Sequence, residues 1–173
     1  MGNAKIIIRP EQSGDESAIY HVNREAFGQP EEAVLVDELR ADGALTVSLV
    51  AILDGEIVGH IAFSPMTFEP PGKRNKAIGL APLAVLPDYQ RKGIGLRLIQ
   101  AGLDACRKAG HDVCIVLGHP NYYPRAGFVR ASLHGISSDL DVPDEVFMVV
   151  ELQPDTLKDY KGRVTYHPAF QSV

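Results

Sequence analysis

Cysteine is scarce in this chain, with Cys106 and Cys114 alone among 173 residues. They form no C-x-x-C pair and have no histidine at ligand spacing beside them, so neither a disulfide framework nor a zinc ribbon is expected. Both lie in apolar segments and read as reduced core thiols. A basic surplus is also missing: 17 Lys and Arg stand against 22 Asp and Glu, a formal net charge of -5. Nucleic-acid binding needs clustered positive charge over one face, and no such partner is expected. The same sign leans towards a cationic acceptor such as an amine. No apolar run approaches the roughly 18 residues of a membrane-spanning helix. The start, Met1-Gly2-Asn3-Ala4-Lys5, lacks the long apolar core of a secretory signal. The expectation is a cytoplasmic protein with no membrane partner. Internal repeats and low-complexity tracts are absent as well.

What remains is ordinary globular composition, 45% hydrophobic and 23% charged, in a length that suits one domain with a sizeable core. The expected domain spans residues 1–173, with its core from about Ile6 to Glu151 and a tail, 152–173, that no pattern assigns. Ile6-Ile7-Ile8 reads as a first strand. Asp15 is placed to cap a helix whose Ala18, Ile19, Val22 and Ala26 form an apolar stripe. Pro30 opens a second helix, in which Glu31 and Glu32 suit the positive end, Leu35 and Leu39 face inward, and Gly43 marks the stop. Strands from Val47 to Leu53 and from Glu56 to Phe63 flank Asp54-Gly55, a strong hairpin signal. A further strand runs from Ala77 to Leu86 through Pro82, which has no donor for a sheet ladder and so weakens pairing there. Beyond it come a helix to Gly110, a strand Val113–Leu117, and last strands at Phe128–Arg130 and Phe147–Glu151 around a loop from Ala131 to Glu145.

Gln90-Arg91-Lys92-Gly93-Ile94-Gly95 carries the most chemistry, because it joins an apolar strand to an amphipathic helix in which Leu98, Ile99, Gly102, Leu103 and Cys106 recur at helical spacing. The first N–H groups of a helix have no internal acceptor, and the dipole adds partial positive charge beside them. A phosphate or pyrophosphate satisfies both. Gly93 and Gly95 keep side chains out of the way, while Arg91 and Lys92 add charge. Two glycines here cost about 1 kcal/mol each relative to alanine, which argues for a use. The P-loop pattern G-x-x-x-x-G-K-[ST] is absent, and the dinucleotide pattern fails because its third glycine is Leu98 and no acidic residue closes the next strand.

The pattern Q/R-x-x-G-x-G/A fits in every position and resembles motif A of the GNAT superfamily of N-acetyltransferases. Further on, Gly118-His119-Pro120-Asn121-Tyr122-Tyr123-Pro124-Arg125-Ala126-Gly127-Phe128 is similar to motif B of the same family, in the form found in a little-characterised bacterial branch. The likeness covers the core span from Ile6 to Glu151. It implies an α/β (α+β) fold: a mixed, mostly antiparallel central sheet of about six or seven strands flanked by about four helices and splayed between the fourth and fifth strands. It implies acetyl-coenzyme A as co-substrate, without a metal, and transfer of the acetyl group to a primary amine on a small molecule or a protein. Whether the protein forms a homodimer stays open.

By position, the resemblance assigns the pyrophosphate to Gln90, Arg91, Lys92, Gly93, Ile94, Gly95 and Leu96. Leu83, Ala84 and Val85 line the pantetheine arm, which adds to the splayed strand edge as an extra strand would, and Asn121 and Tyr123 contact the cofactor after the next strand. The Val85 N–H is the candidate for polarising the acetyl carbonyl, and Tyr123 the candidate acid that protonates the departing thiolate. A phenol of pKa about 10 donates to a thiolate whose acid has pKa about 8.5 only with local help. Many family members place a glutamate in or beside the strand before the turn, and here that strand is apolar. His60, Glu25, His119 and water are the alternatives for the base; His60 reads first as a satisfied core histidine, Glu25 as a solvated side chain and His119 as turn chemistry. Neither cysteine falls where a covalent route would need it. Two rivals stand beside the enzyme reading: an acyl-coenzyme A sensor or interaction module that lost its chemistry, and a nucleotide-phosphate enzyme disfavoured by the missing partner motifs.

Overall fold

Apolar residues three and four apart in the first forty positions produce two helices, and the alternating runs around them produce strands. In the computed structural model, which describes residues 5–72 and 74–173, β1 (Ile7–Pro10) leads into α1 (Glu16–Phe27) and α2 (Glu31–Ala41). The Met1–Ala4 start and Lys73, in the loop from Glu69 to Asn75, lie outside the described residues. Asp15 stands at the N-terminus of α1 as expected, but its carboxylate does not cap the helix. It accepts two bonds from Arg9, at 2.7 and 3.2 Å, and one from the Gln12 N–H at 2.7 Å. A bidentate guanidinium outcompetes a neutral helix N–H for the same oxygens.

Asp54 and Gly55 both adopt left-handed backbone, φ 52° and 81°, and join β2 (Val47–Leu53) to β3 (Glu56–Pro65) as an antiparallel hairpin. Its register slips once, so that Ala51 and Ile52 face Gly59 and Ile57 and Val58 bulges out. The remaining strands are β4 (Thr67–Glu69), β5 (Ala77–Val85), β6 (Val113–Leu117), β7 (Val129–Arg130), β8 (Ile136–Ser138), β9 (Phe147–Glu151) and β10 (Gly162–Thr165), with α3 (Ile94–Lys108) between β5 and β6. Seven of them form one sheet in the order β1-β2-β3-β5-β6-β9-β7, and β4-β10-β8 form a second. In the large sheet β1 pairs with β2, β2 with β3, β6 with β9 and β7 with β9 antiparallel, while β5 runs parallel to β6. Three α-helices are present among the described residues, and the chain after β6 makes a 3-10 turn, Tyr123–Ala126.

Two compact units emerge from the packing. The first takes the chain to Phe63, then Ala81–Gly102 and Pro168–Val173. Here α1 and α2 pack Ile19 and Val36 against Val50 of β2, all buried, each side chain contributing roughly 1.5–3 kcal/mol of transfer free energy. The other face of β3 meets α3. A methyl group on Gly59 would lie 3.0 Å from Leu98 and 3.3 Å from Ile94, so the glycine lets the first turn of α3 sit directly on the strand.

Ser64–Leu80 and Leu103–His167 make the second unit. Its core gathers Met66, Phe68, Ile115, Val149, Tyr160 and Val164. The β5–β6 ladder runs from Ala77↔Val113 to Leu80↔Val116 and ends ahead of Pro82, where the missing donor was expected to weaken pairing. One sequence expectation needs correction. The segment from Ala131 to Glu145 is more than a loop, since it holds β8 and two 3-10 turns. The tail after Glu151, which no pattern assigned, contains a strand: β10 pairs antiparallel with β4 and parallel with β8. Asp112, fully buried, fastens that tail. Its carboxylate accepts from the Tyr160 hydroxyl at 2.7 Å and from Arg74 at 2.7 and 3.0 Å, and its carbonyl accepts from the N–H groups of Leu152 and Gln153.

Candidate active site

In the first unit the chain leaves β5 along a path set by backbone bonds. The Leu86 N–H donates to the Val58 carbonyl at 2.9 Å, and Pro87–Tyr89 form one 3-10 turn. Gln90 is extended, and its side-chain amide donates to the Val85 carbonyl at 2.9 Å, closing the turn onto the strand. The Val85 carbonyl is thereby occupied, and the backbone group expected to act is its N–H. Leu83 and Val85 are half-buried and Ala84 is buried, a strand alternation along this end of β5.

Arg91 and Gly93 then take left-handed backbone, φ 62° and 84°. A chain that alternates in hand over successive residues turns its N–H groups towards one point, a concavity that binds anions. Gly93 supplies this conformation without strain, whereas Arg91 holds it at a cost of about 1–2 kcal/mol, strain of the kind that persists at binding sites. The first rung from outside the helix runs from the Arg97 N–H to the Gly93 carbonyl at 3.2 Å, so the N–H groups of the turn ahead of it have no acceptor of the helix's own. Ile94 is buried, leaving only its backbone for a ligand, while Gly95 and Leu96 are half-buried. Arg91 and Lys92 are exposed, and the Lys92 ammonium lies 5.7 Å from the centre of the Tyr89 ring. The structure thus brings Val85 and the residues from Gln90 to Leu96 into one continuous strand–turn–helix unit.

In the second unit Tyr123 opens the 3-10 turn after β6 and is 8% exposed. Its ring meets the edges of Tyr122 and Phe128, with centroids 5.3 and 5.7 Å away. Burial, with smaller contributions from Tyr122 and Cys114, pushes its phenol well above the usual tyrosine range, so it carries its proton at neutral pH. Asn121 is exposed, and its N–H donates to His119 Nδ1 at 3.2 Å. His119 therefore serves the turn, as its sequence context implied.

His60 is fully buried with both ring nitrogens engaged. The Asn23 amide spends its donors on the Ile19 carbonyl (3.0 Å) and His60 Nδ1 (3.1 Å), so Nε2 carries the proton and donates to Ser48 at 2.9 Å. Ser48 donates to Glu11 at 2.7 Å, and Arg40 holds Glu11 with two bonds of 2.8 and 3.0 Å. Burial, reinforced by Arg40 and only partly opposed by Glu11, lowers His60 from 6.5 to about 4. Such a ring is satisfied and neutral, which is the core-histidine reading. Glu25 is exposed on α1. Cys106 and Cys114 are both buried, and desolvation raises Cys106 to about 12 and Cys114 well above its usual value; neither is poised as a nucleophile. Glu11, Asn23, Arg40 and Ser48 were not legible as a network, because they are scattered over α1, α2, β2 and the loop after β1 with no spacing to tie them. Gly118, which opens the motif B run, lies against the Tyr123 ring.

The acetyltransferase (GNAT) family model matches residues 16–128. From Escherichia coli K12, a protein named uncharacterized N-acetyltransferase YhbS is 36% identical over 166 residues, covering 95% of this chain and 98% of its own. YjhQ of the same strain, also named an uncharacterized N-acetyltransferase, is 41% identical over 136 residues, covering 76% and 74%. Among solved structures, Escherichia coli YhbS in complex with CoA superposes with a TM-score of 0.92 at 35% identity, over 99% of this chain and 94% of that one. A Brucella melitensis GNAT acetyltransferase in complex with acetyl-CoA gives 0.80 at 37% identity, over 96% and 98%. Since the family match takes in both the Gln90–Gly95 turn and the tyrosine pair, and YhbS aligns along nearly the whole chain, this protein belongs to the GNAT family of acetyltransferases.

Proposed function

We propose that the protein transfers the acetyl group of acetyl-coenzyme A directly to a primary amine. The observation that carries this reading is the alternating backbone at Arg91 and Gly93 ahead of α3, an anion cradle at the position where the family holds pyrophosphate. Its relatives' complexes with CoA and acetyl-CoA support the choice of cofactor. The N–H groups of the turn and of Ile94, Gly95 and Leu96 take the pyrophosphate, Arg91 and Lys92 add charge, and Asn121 flanks the cofactor. Leu83, Ala84 and Val85 receive the pantetheine arm. The amine nitrogen attacks the acetyl carbon while the Val85 N–H stabilises negative charge on the oxygen. The C–S bond then breaks, Tyr123 gives its proton to the thiolate sulfur, and the amine's surplus proton leaves to water, which also restores the phenol. Burial keeps Tyr123 in the protonated form an acid must have, and the desolvation that raises the phenol raises a thiol placed beside it as well, so burial alone does not widen the gap between the two.

Gly93→Val tests the cradle cleanly. A Cβ there meets nothing within 4 Å, so the penalty comes from the left-handed backbone, about 1–2 kcal/mol, and the fold is expected to survive. Calorimetry is expected to show acetyl-coenzyme A affinity reduced at least tenfold; unchanged affinity removes the turn from the site. Tyr123→Phe is expected to slow thiol release about a hundredfold, the low end of general-acid effects, with affinity for acetyl-coenzyme A held within twofold. Turnover equal to wild type removes the acid role. Among rivals, the sensor reading draws on the wholly apolar end of β5. Tight cofactor binding with no amine-dependent thiol release across an amine panel favours it over catalysis.

A further inference from the structure

We propose that Gly118 is a positioning residue for Tyr123, and that the space left by its missing side chain is the seat of the phenol ring. The proposal rests on the acid role given to Tyr123 above. An ideal Cβ built on Gly118 would stand 3.1 Å from the Tyr123 Cζ and 2.8 Å from Cδ2, with Cε2 closer still. Real Cβ contacts essentially never come under 3.0 Å, as those to Cδ2 and Cε2 would, so any side chain at 118 displaces the ring. Backbone conformation does not explain the glycine, since Gly118 is not among the residues with positive φ. Space does.

Neither partner is free to move aside. Gly118 closes the end of β6 with its N–H bonded to the Val146 carbonyl at 2.9 Å. The Tyr123 N–H and the Tyr122 N–H both donate to the His119 carbonyl, at 3.4 and 3.1 Å, which ties the 3-10 turn to the residue next to Gly118. On other sides the ring meets Tyr122 and Phe128 edge-on. A methyl group at 118 therefore cannot be absorbed by a small shift of the glycine, and the phenol itself must rotate or the turn must lift. The reach of a general acid is a matter of tenths of an ångström. Gly118 thus sets where the hydroxyl goes without touching substrate.

Two cycles of variants test this, using thiol release from acetyl-coenzyme A with water as acceptor, calorimetry with acetyl-coenzyme A, and thermal melting. Gly118→Ala is expected to slow release to the level of Tyr123→Phe, about a hundredfold, with cofactor affinity within twofold. In the Tyr123→Phe background, which keeps the ring and lacks the hydroxyl, adding Gly118→Ala is expected to cost less than about twofold, because the two changes remove the same event. Losses that multiply in full overturn the proposal, as does wild-type release by Gly118→Ala when Tyr123→Phe is impaired. Wild-type release by Tyr123→Phe overturns the acid role instead. Should Gly118→Ala melt early or fail to fold, the pair Gly118→Ala/Tyr123→Ala decides: with the ring gone, the added methyl is expected to leave melting within a degree or two of Tyr123→Ala alone. A double variant as unstable as Gly118→Ala refutes the seat.

Discussion

A histidine buried without charge is expensive to protonate, and at the scale of one residue His60 makes stability depend on pH. Its folded value of about 4 lies below the ordinary 6.5, so between these values the unfolded chain binds a proton that the native state refuses. Stability is fully present above pH 6.5 and is lost as pH falls towards 4. Glu11 acts in the same direction but lower. Burial pushes its carboxyl up, the bonds from Arg40 and Ser48 outweigh that, and the net value falls below 4.5; its loss therefore begins only near the bottom of the His60 window and continues below it. Urea denaturation at pH 7 and pH 5 is expected to differ by about 2 kcal/mol in wild type. His60→Gln, an uncharged side chain able to donate to Ser48 and accept from Asn23, is expected to flatten most of that difference. A slope that survives the substitution assigns the effect to other groups.

Helix α3 depends on two glycines that it meets or contains. Gly59 of β3 admits Leu98 and Ile94, and Gly102 of α3 accommodates Phe63, whose Cζ would stand 2.6 Å from an added Cβ. Alanine in a helix gains about 1 kcal/mol over glycine, while overpacking a close contact costs about 1–3 kcal/mol. Gly102→Ala is accordingly expected to lower stability by about 1 kcal/mol, and to become neutral or stabilising once Phe63→Leu has made room; chemical denaturation of the two variants and their double measures it. At this scale the sequence was legible wherever a local rule governs. Asp54-Gly55 announced its hairpin, the spacing of Leu98, Ile99, Leu103 and Cys106 announced a buried helix face, and Gln90–Gly95 announced the turn from a strand into that helix. Elements made by partners far along the chain were not legible. β10 has one buried apolar residue, Val164, and becomes a strand only because β4 and β8 are there to pair with it. The Asp112–Tyr160 bond joins residues 48 apart, and no spacing rule reaches that far. The bulge at Val58 likewise breaks an alternation that the residues of β3 alone would have continued.

For the whole molecule, the closing segment of the chain divides its support between the two units. Residues from Gln153 to His167 belong to the second, where Tyr160 and Val164 enter the core and β10 completes the small sheet. Pro168–Val173 belong to the first, where Ala169 and Phe170 pack against Leu35, Leu39 and Ala44. Removing 168–173 withdraws that cover from the buried face of α2 and leaves the strand pairings of β10 untouched. Restoring water to a face that a phenylalanine had covered costs roughly 1.5–3 kcal/mol, and such a loss is felt first as local opening. Deletion of 168–173 is therefore expected to speed amide exchange in α2 about tenfold to a hundredfold, the kinetic equivalent of that cost when opening is at equilibrium, while β4 and β10 keep their protection. Hydrogen exchange read by mass spectrometry separates the outcomes. Equal acceleration in β10 would show that the six residues support both units alike, and unchanged exchange in α2 would show that Phe170 covers the helix without stabilising it.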